Sequence, residues 1–354
     1  MNYIGSKHSL LPFIEEVVRA NCRRRPRVVC DLFAGTGAVG RHFKRQGDRV
    51  IANDLQYYAF VLNKAYLEID HPPAFAGLHR AFAAKFAGRD ESDPVLRVLA
   101  FASGLRRQRG FLARNYSPAG GRGYYSIENA GRADAIRASL ERWRRRALIT
   151  EEEYFYLLCS LLEAIDQVAN TASVYGAFLK KFKASALRPL ALRPLELTNH
   201  VTGCEVHQRD ANELIDEIEC DLLYLDPPYN HRQYGANYHV LETIAAYDAP
   251  ALKGVTGMRE YPRSRYCRAG EAADALEDLV RKARAKHILL SYNDEGLLSL
   301  RQVARILGLR GTPRTFQRDY ARFKADNGRE YKRSATVEYL HYVRVTSSLG
   351  RPNS

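Results

Sequence analysis

Apolar and polar positions alternate along this chain in two rhythms, and the change from one to the other marks its elements. From Arg27, RVVCDLFAGTGAVG runs from an apolar stretch through glycines into helical spacing. VVC reads as a buried strand, GTG as a turn, and AVGRHFKRQG as a helix stopped at Gly47. RVIAND predicts a second strand ending in Asn53 and Asp54, and LQYYAFVLNKAYLEID predicts a helix. A strand–helix–strand–helix order is the mark of a parallel, doubly wound α/β sheet. His71-Pro72-Pro73 breaks the rhythm, and the following 125 or so residues read as mainly helical. Within them ARNYSPAGGRGYYSIENAGR is polar and glycine-rich, and KKFKASALRPLALRPLEL reads as an extended, basic connection. The α/β rhythm returns with CEVHQRDANELI, CDLLYLDPPY, HILLSYND and the β-branched, aromatic strand ATVEYLHYVRVT.

The pattern predicts one α/β domain, 1–70 and 201–346, interrupted by a mainly helical insertion, 71–200, with 347–354 as a flexible tail. The 354 residues, 46% of them apolar, suffice for such a core. A net charge of +14, carried mostly by arginine, favours a polyanionic partner, nucleic acid first. Cys22, Cys30, Cys159, Cys204, Cys220 and Cys267 form no CxxC pair, so neither a disulfide framework nor a zinc site is expected. With no signal-like leader and no membrane-length apolar run, the expected location is cytoplasmic, in a bacterium or encoded by its phage.

Two short motifs carry chemistry. Gly35, Gly37 and Gly40 form GTGAVG between a predicted strand and helix, with Asp54 about 20 residues on, where an acid accepts from ribose hydroxyls. Glycines there let backbone approach a nucleoside-bearing ligand. Asp31, directly before them, would repel a pyrophosphate and instead balance a cationic amino-sulfonium group, which favours S-adenosylmethionine over NAD. The second motif is Asp226-Pro227-Pro228-Tyr229 at a strand end. The prolines remove two donors and leave stiff carbonyl acceptors. A carboxylate, a carbonyl and an aromatic face suit a planar base with an exocyclic amine: Asp226 and the Pro227 carbonyl accept its two hydrogens, and Tyr229 stacks on its ring.

With NYIGSK at residues 2–7, these motifs resemble the DNA adenine-N6 methyltransferases of the Dam-like, alpha-ordered group. The resemblance covers nearly the whole chain, most firmly 1–70 and 205–345. It implies a Rossmann-like methyltransferase fold, a mostly parallel doubly wound sheet with a terminal antiparallel strand, carrying an inserted helical target-recognition subdomain. It also implies an S-adenosylmethionine site formed by Tyr3, Lys7, Asp31, Phe33, Gly35, Gly37, Asp54 and Asp210, with Lys7 on the cofactor carboxylate and Asp210 on its adenine. Asp226, Pro227, Pro228 and Tyr229 would be catalytic. The expected reaction is methylation of N6 of a flipped-out adenine in double-stranded DNA, with no metal. The extension NHRQYGANYHVLETIA most resembles modification methylases of restriction systems, which leaves room for a cognate endonuclease acting separately. Arg114, Arg122, Tyr124, Asn230 and Arg232 are the expected DNA contacts. An RNA adenine methyltransferase and a catalytically silent nucleic-acid binder are the alternatives.

Overall fold

The computed structural model describes residues 5–86, 93–199, 201–321 and 335–346. Tyr3 and the expected tail lie outside them. The chain divides into two compact units. One comprises Gly5–Phe60, His200–Tyr234 and Pro262–Ser354, and the other Val61–Asn199 and Gly235–Tyr261.

The first unit is built on a seven-stranded sheet: β1 (Val28–Asp31), β2 (Arg49–Asn53), β3 (Glu205–His207), β4 (Glu219–Leu225), β5 (Arg284–Asn293), β6 (Pro313–Ala321) and β7 (Ala335–Arg344), in the order β3-β2-β1-β4-β5-β7-β6. The first five run parallel, and β7 pairs antiparallel with both β5 and β6. The antiparallel end is thus a pair of strands, one more than the sequence pattern gives. β6 was hidden because it lies at the edge, where Pro313, Arg314, Arg318 and Asp319 replace an apolar run. The chain order reverses across β1 and β4, and the crevice beyond their carboxyl ends is where such sheets hold ligands.

The central strands are short apolar runs because helices cover them. Ala272, Ala275, Leu276, Leu279 and Val280, spaced at helical intervals on Ala272–Lys282, are buried in one core cluster with Leu223, Leu225, Ile288 and Leu290. Deleting one such leucine costs about 2–5 kcal/mol. A capping box between Ser299 and Gln302 starts the helix Leu300–Gly308, whose Val303, Ile306 and Leu307 enter that cluster. All six cysteines are free and buried.

The second unit is helical. Its two longest helices are Ile127–Arg145, capped by Ser126, and Glu151–Gln167, capped by the Thr150–Glu153 box. Its limits differ from the expected 71–200. The predicted helix over 55–70 breaks into Tyr57–Asn63 and a π-helical turn, Lys64–Glu68, and residues from Val61 on group with the helices. So does 235–261, for a reason the polar pattern does not reveal. Fully buried Arg137 donates from Nε to the Ile244 carbonyl (2.9 Å) and from its terminal nitrogen to the Ala245 carbonyl (3.1 Å). These bonds satisfy the carboxyl end of the helix His239–Ala246. The expected extended connection over 180–197 is irregular apart from one 3-10 turn, Ala184–Leu187.

Candidate active site

The sheet brings two acids to neighbouring strand ends. Asp31 closes β1, and its register partner in β4 is Tyr224, two residues before Asp226. Asp31 is 1% exposed, and one carboxylate oxygen accepts from Gly40 N (3.1 Å) on the helix Ala38–Arg45. Burial, and then the charge of Asp226, push its carboxyl up to about 8.

The glycine loop follows directly. Ala34 N donates to the Asn53 carbonyl (2.9 Å), and Asn53 Nδ2 donates to the carbonyls of Leu32 (3.2 Å) and Arg209 (3.1 Å). The ends of β1, β2 and β3 are stapled by that one amide. Gly35 (φ 52°) and Gly37 (φ 75°) take left-handed conformations that side chains oppose. Gly35 N donates to Asp54 Oδ2 (2.8 Å), and Gln56 N to Asp54 Oδ1 (2.9 Å). Burial raises the Asp54 carboxyl to about 6 against these bonds. Phe33 packs edge-on to Tyr266 (5.1 Å, 79°), whose hydroxyl donates to Asn212 Oδ1 (2.8 Å). Exposed Asp210 caps Ala211–Leu214 through Asn212 N (2.8 Å).

Beyond β4, Asp226 lies 3.1 Å from Lys7 Nζ. The same nitrogen is 3.8 Å from Glu338 Oε2 of β7 and 5.7 Å from the centre of the Tyr229 ring. Lys7, Asp226 and Glu338 side chains are 4%, 16% and 6% exposed. Burial opposes the Lys7 charge, but Asp226 and Glu338 outweigh it and hold the ammonium above the usual range. Burial raises Asp226 and is opposed by Lys7. Glu338 is pushed up to about 7, by burial against the pull of Lys7 and with the charges of Asp226 and Asp294. Its Oε2 has no hydrogen-bond partner among the described residues. Tyr229 is half-buried, its ring edge-on to Tyr292 (5.8 Å, 65°), and its carbonyl accepts from Leu297 N (2.7 Å). No donor among the described residues reaches the Pro227 carbonyl.

The structure therefore groups Lys7, Asp31, Asp226 and Tyr229 at one crevice and ties Asp54 to the glycine loop. In this structure Lys7 meets Asp226 and Glu338, where the sequence pointed it towards a ligand carboxylate. Glu338 is the residue the sequence reading missed. Its signal is an acid in phase with Leu340 and Tyr342, the buried face of β7.

The expected nucleic-acid contacts fare unevenly. Tyr124 has no exposed surface, and its hydroxyl donates to the Tyr175 carbonyl (2.7 Å), so it is a core residue and not a contact. Tyr116 and Tyr125 are buried likewise. Arg122 is half-buried and donates to the carbonyls of Val255 (3.0 Å), Gly254 (3.3 Å) and Asn115 (3.1 Å). It pins a tight loop and is not a free cation. Arg114 and Arg232 are exposed, and Asn230 Oδ1 accepts from Arg232 N (3.0 Å). Among the described residues no group of three or more His, Cys, Asp or Glu is disposed to hold a metal, and no helix is long and apolar enough to cross a membrane.

Comparison with known proteins agrees with this geometry. The chain is 44% identical to the Type II methyltransferase M.NlaIII of Neisseria lactamica, over 98% of this chain and the whole of that protein. It is 40% identical to M.FokI of Planomicrobium okeanokoites over 99% of its length, but spans only 53% of that longer protein. M.CviAII of Paramecium bursaria Chlorella virus 1 is 35% identical, over 92% of this chain and 93% of its own. A model of the D12 class N6 adenine-specific DNA methyltransferases matches residues 3–306. A match of that extent, together with these relatives, shows that the chain belongs to the D12 class of N6 adenine-specific DNA methyltransferases.

Proposed function

We propose that this chain methylates N6 of an adenine turned out of duplex DNA, with S-adenosylmethionine as donor. The carrying observation is the crevice in which Lys7 lies between Asp226 (3.1 Å) and Glu338 (3.8 Å), with buried Asp31 ending the neighbouring strand and feeling the charge of Asp226. Burial and the charge of Asp226 disfavour an ionised Asp31, and a cationic donor beside it would favour that ionised form, which fits S-adenosylmethionine. Asp31 and Asp54, on either side of the left-handed glycines, would hold it, with Phe33 and Asp210 at its base. When bound, S-adenosylmethionine supplies an electrophilic methyl group on a positively charged sulfur.

The remaining chemistry belongs to side chains. Asp226 and the Pro227 carbonyl accept the two hydrogens of the adenine amine and aim its lone pair outward, while Tyr229 stacks on the base. The amine nitrogen gains the methyl carbon, and its surplus proton leaves to Asp226 or to water. Because the leaving group is already good, positioning and electrostatics carry the rate. An adenine within the stack cannot present N6 in line, so the base must leave the duplex. The Lys7 ammonium opposes the effect of burial on Asp226, and Glu338 lies on the other side of Lys7.

Duplex recognition falls to the helical unit, with Arg114, and to Asn230 and Arg232 after the Asp-Pro-Pro-Tyr motif. Relatives are named Type II methyltransferases, and on this reading the reaction would protect sites that a separate cognate endonuclease cuts. The test is methyl transfer from labelled S-adenosylmethionine to unmethylated duplex DNA, with structured RNA alongside, followed by nucleoside analysis. N6-methyladenine in DNA alone is expected; label confined to RNA overturns the duplex assignment.

A further inference from the structure

A second feature of the sheet unit lies at its opposite end. The amino ends of β4 and β5, the carboxyl end of β7 and the turn after the helix Leu11–Asn21 enclose an open, basic basin. Arg23, Arg24, Arg27, Arg314 and Arg344 line it, all exposed, and none has a carboxylate within ion-pairing distance among the described residues. Two more cations are paired. Arg25 makes a two-pronged bond to Asp48 (2.9 and 2.7 Å), and Lys286 lies 2.6 Å from Asp221. Seven cations against two carboxylates leave five positive charges unbalanced.

The basin has a fixed floor. Asp221 Oδ2 also accepts from Arg27 N (2.9 Å) and Val28 N (3.1 Å). Tyr342 donates its hydroxyl to the Asn21 carbonyl (3.0 Å) and lies 2.7 Å from His287 Nδ1. Arg314 donates to Asn21 Oδ1 (3.2 Å). Burial first, and then the charge of Arg344, push the His287 imidazole down from its usual range.

Guanidinium forks on such a floor suit phosphate oxygens in series. The basin opens at the strand ends remote from Asp31 and Asp226, so it does not receive the target base. From this we infer that it is a second duplex-binding surface, which grips the phosphates of a DNA segment other than the one being methylated. A protein with two such surfaces passes from one segment to another without an intervening free state. The inference rests on the family's DNA substrate and adds a binding site to it.

The test follows dissociation. Enzyme on a short fluorescent duplex carrying its site is challenged with rising concentrations of unlabelled non-target duplex at fixed salt. For the unaltered enzyme the dissociation rate should climb in proportion to competitor, by several-fold over the range. The variant Arg23→Gln/Arg24→Gln/Arg27→Gln/Arg344→Gln should dissociate at one rate throughout, yet methylate the short duplex as the parent does. A second variant, Arg23→Glu/Arg24→Glu, should behave the same way. Equal competitor dependence in parent and variants overturns the inference, as does a parent rate that ignores competitor. Loss of short-duplex methylation in the variants also overturns it, because the basin would then serve the target duplex itself. Failure of the parent to methylate any duplex would instead count against the DNA-methylation reading.

Discussion

Replacing Glu338 by glutamine isolates the charge on the far side of Lys7. The Glu338 carboxyl titrates near pH 7, so below that pH it is neutral and the Lys7 ammonium falls on Asp226 alone. Above it, Glu338 is ionised 3.8 Å from Lys7. At an effective dielectric of about 20 that attraction is ~4 kcal/mol, against ~5 kcal/mol for Lys7 and Asp226 at 3.1 Å. With these side chains 4–16% exposed, solvent screens them little. The two pulls are comparable, so ionised Glu338 shares the ammonium and frees Asp226 to accept amine hydrogens. If a third of its attraction reaches the transition state, ~1.4 kcal/mol, the rate changes about tenfold. Single-turnover methylation of saturating duplex should therefore rise about tenfold in the parent between pH 6 and 8. The Glu338→Gln enzyme, whose side chain is neutral throughout, should lack that tenfold rise relative to the parent. Asp31 titrates in both enzymes and cancels in the comparison. Superimposable pH profiles from two equally folded proteins would refute the role assigned to Glu338.

Asp226→Ala should abolish methyl transfer while leaving S-adenosylmethionine affinity within a few-fold; loss of cofactor binding would move Asp226 out of the target pocket. Tyr229→Ala should lower kcat/KM by about 1–3 kcal/mol of base stacking, and unchanged kinetics would reject that stacking. Calorimetric titration should show S-adenosylmethionine binding more tightly as pH rises through about 8, because Asp31 then gains the charge that faces the donor. S-adenosylhomocysteine, whose sulfur is a neutral thioether, should lack that trend, and parallel trends for the two ligands would remove Asp31 from the sulfonium's surroundings. Arg137→Ala strands two buried helix-end carbonyls and removes one donor (2.9 Å) from Glu141, which keeps the Tyr154 hydroxyl (2.7 Å). It should destabilise the helical unit by about 2–4 kcal/mol in urea unfolding, and a loss under 1 kcal/mol would contradict the bonding described.

What the sequence disclosed and what it concealed separate along physical lines. Asp31 and Asp226 could be placed at one crevice because parallel strands announce themselves as apolar runs and end in the residues that face ligands. Gly35 and Gly37 were legible because few other residues tolerate their backbone angles. Glu338 was not read, since nothing local shows that an acid in β7 meets a lysine near the other end of the chain. Tyr124 misled because an aromatic between glycines and arginines has the composition of a surface. Its burial follows from Tyr175 and Phe178, whose rings lie 6.1 and 5.0 Å away. The segment 235–261 was assigned by its place after the catalytic motif, whereas Arg137 binds it to the helices.

The contact of Lys7 with Glu338 has a further consequence for when activity can begin. Residue 7 leaves the ribosome well before residue 338, with most of the sheet made between them. Closing so long a loop, through parallel pairings that are themselves non-local, is entropically costly and slow. A nascent chain that has already made the glycine loop and the Asp-Pro-Pro-Tyr motif still lacks β7, and with it the second counter-ion of Lys7. On the role proposed for Glu338, full turnover would wait until β7 is made and paired.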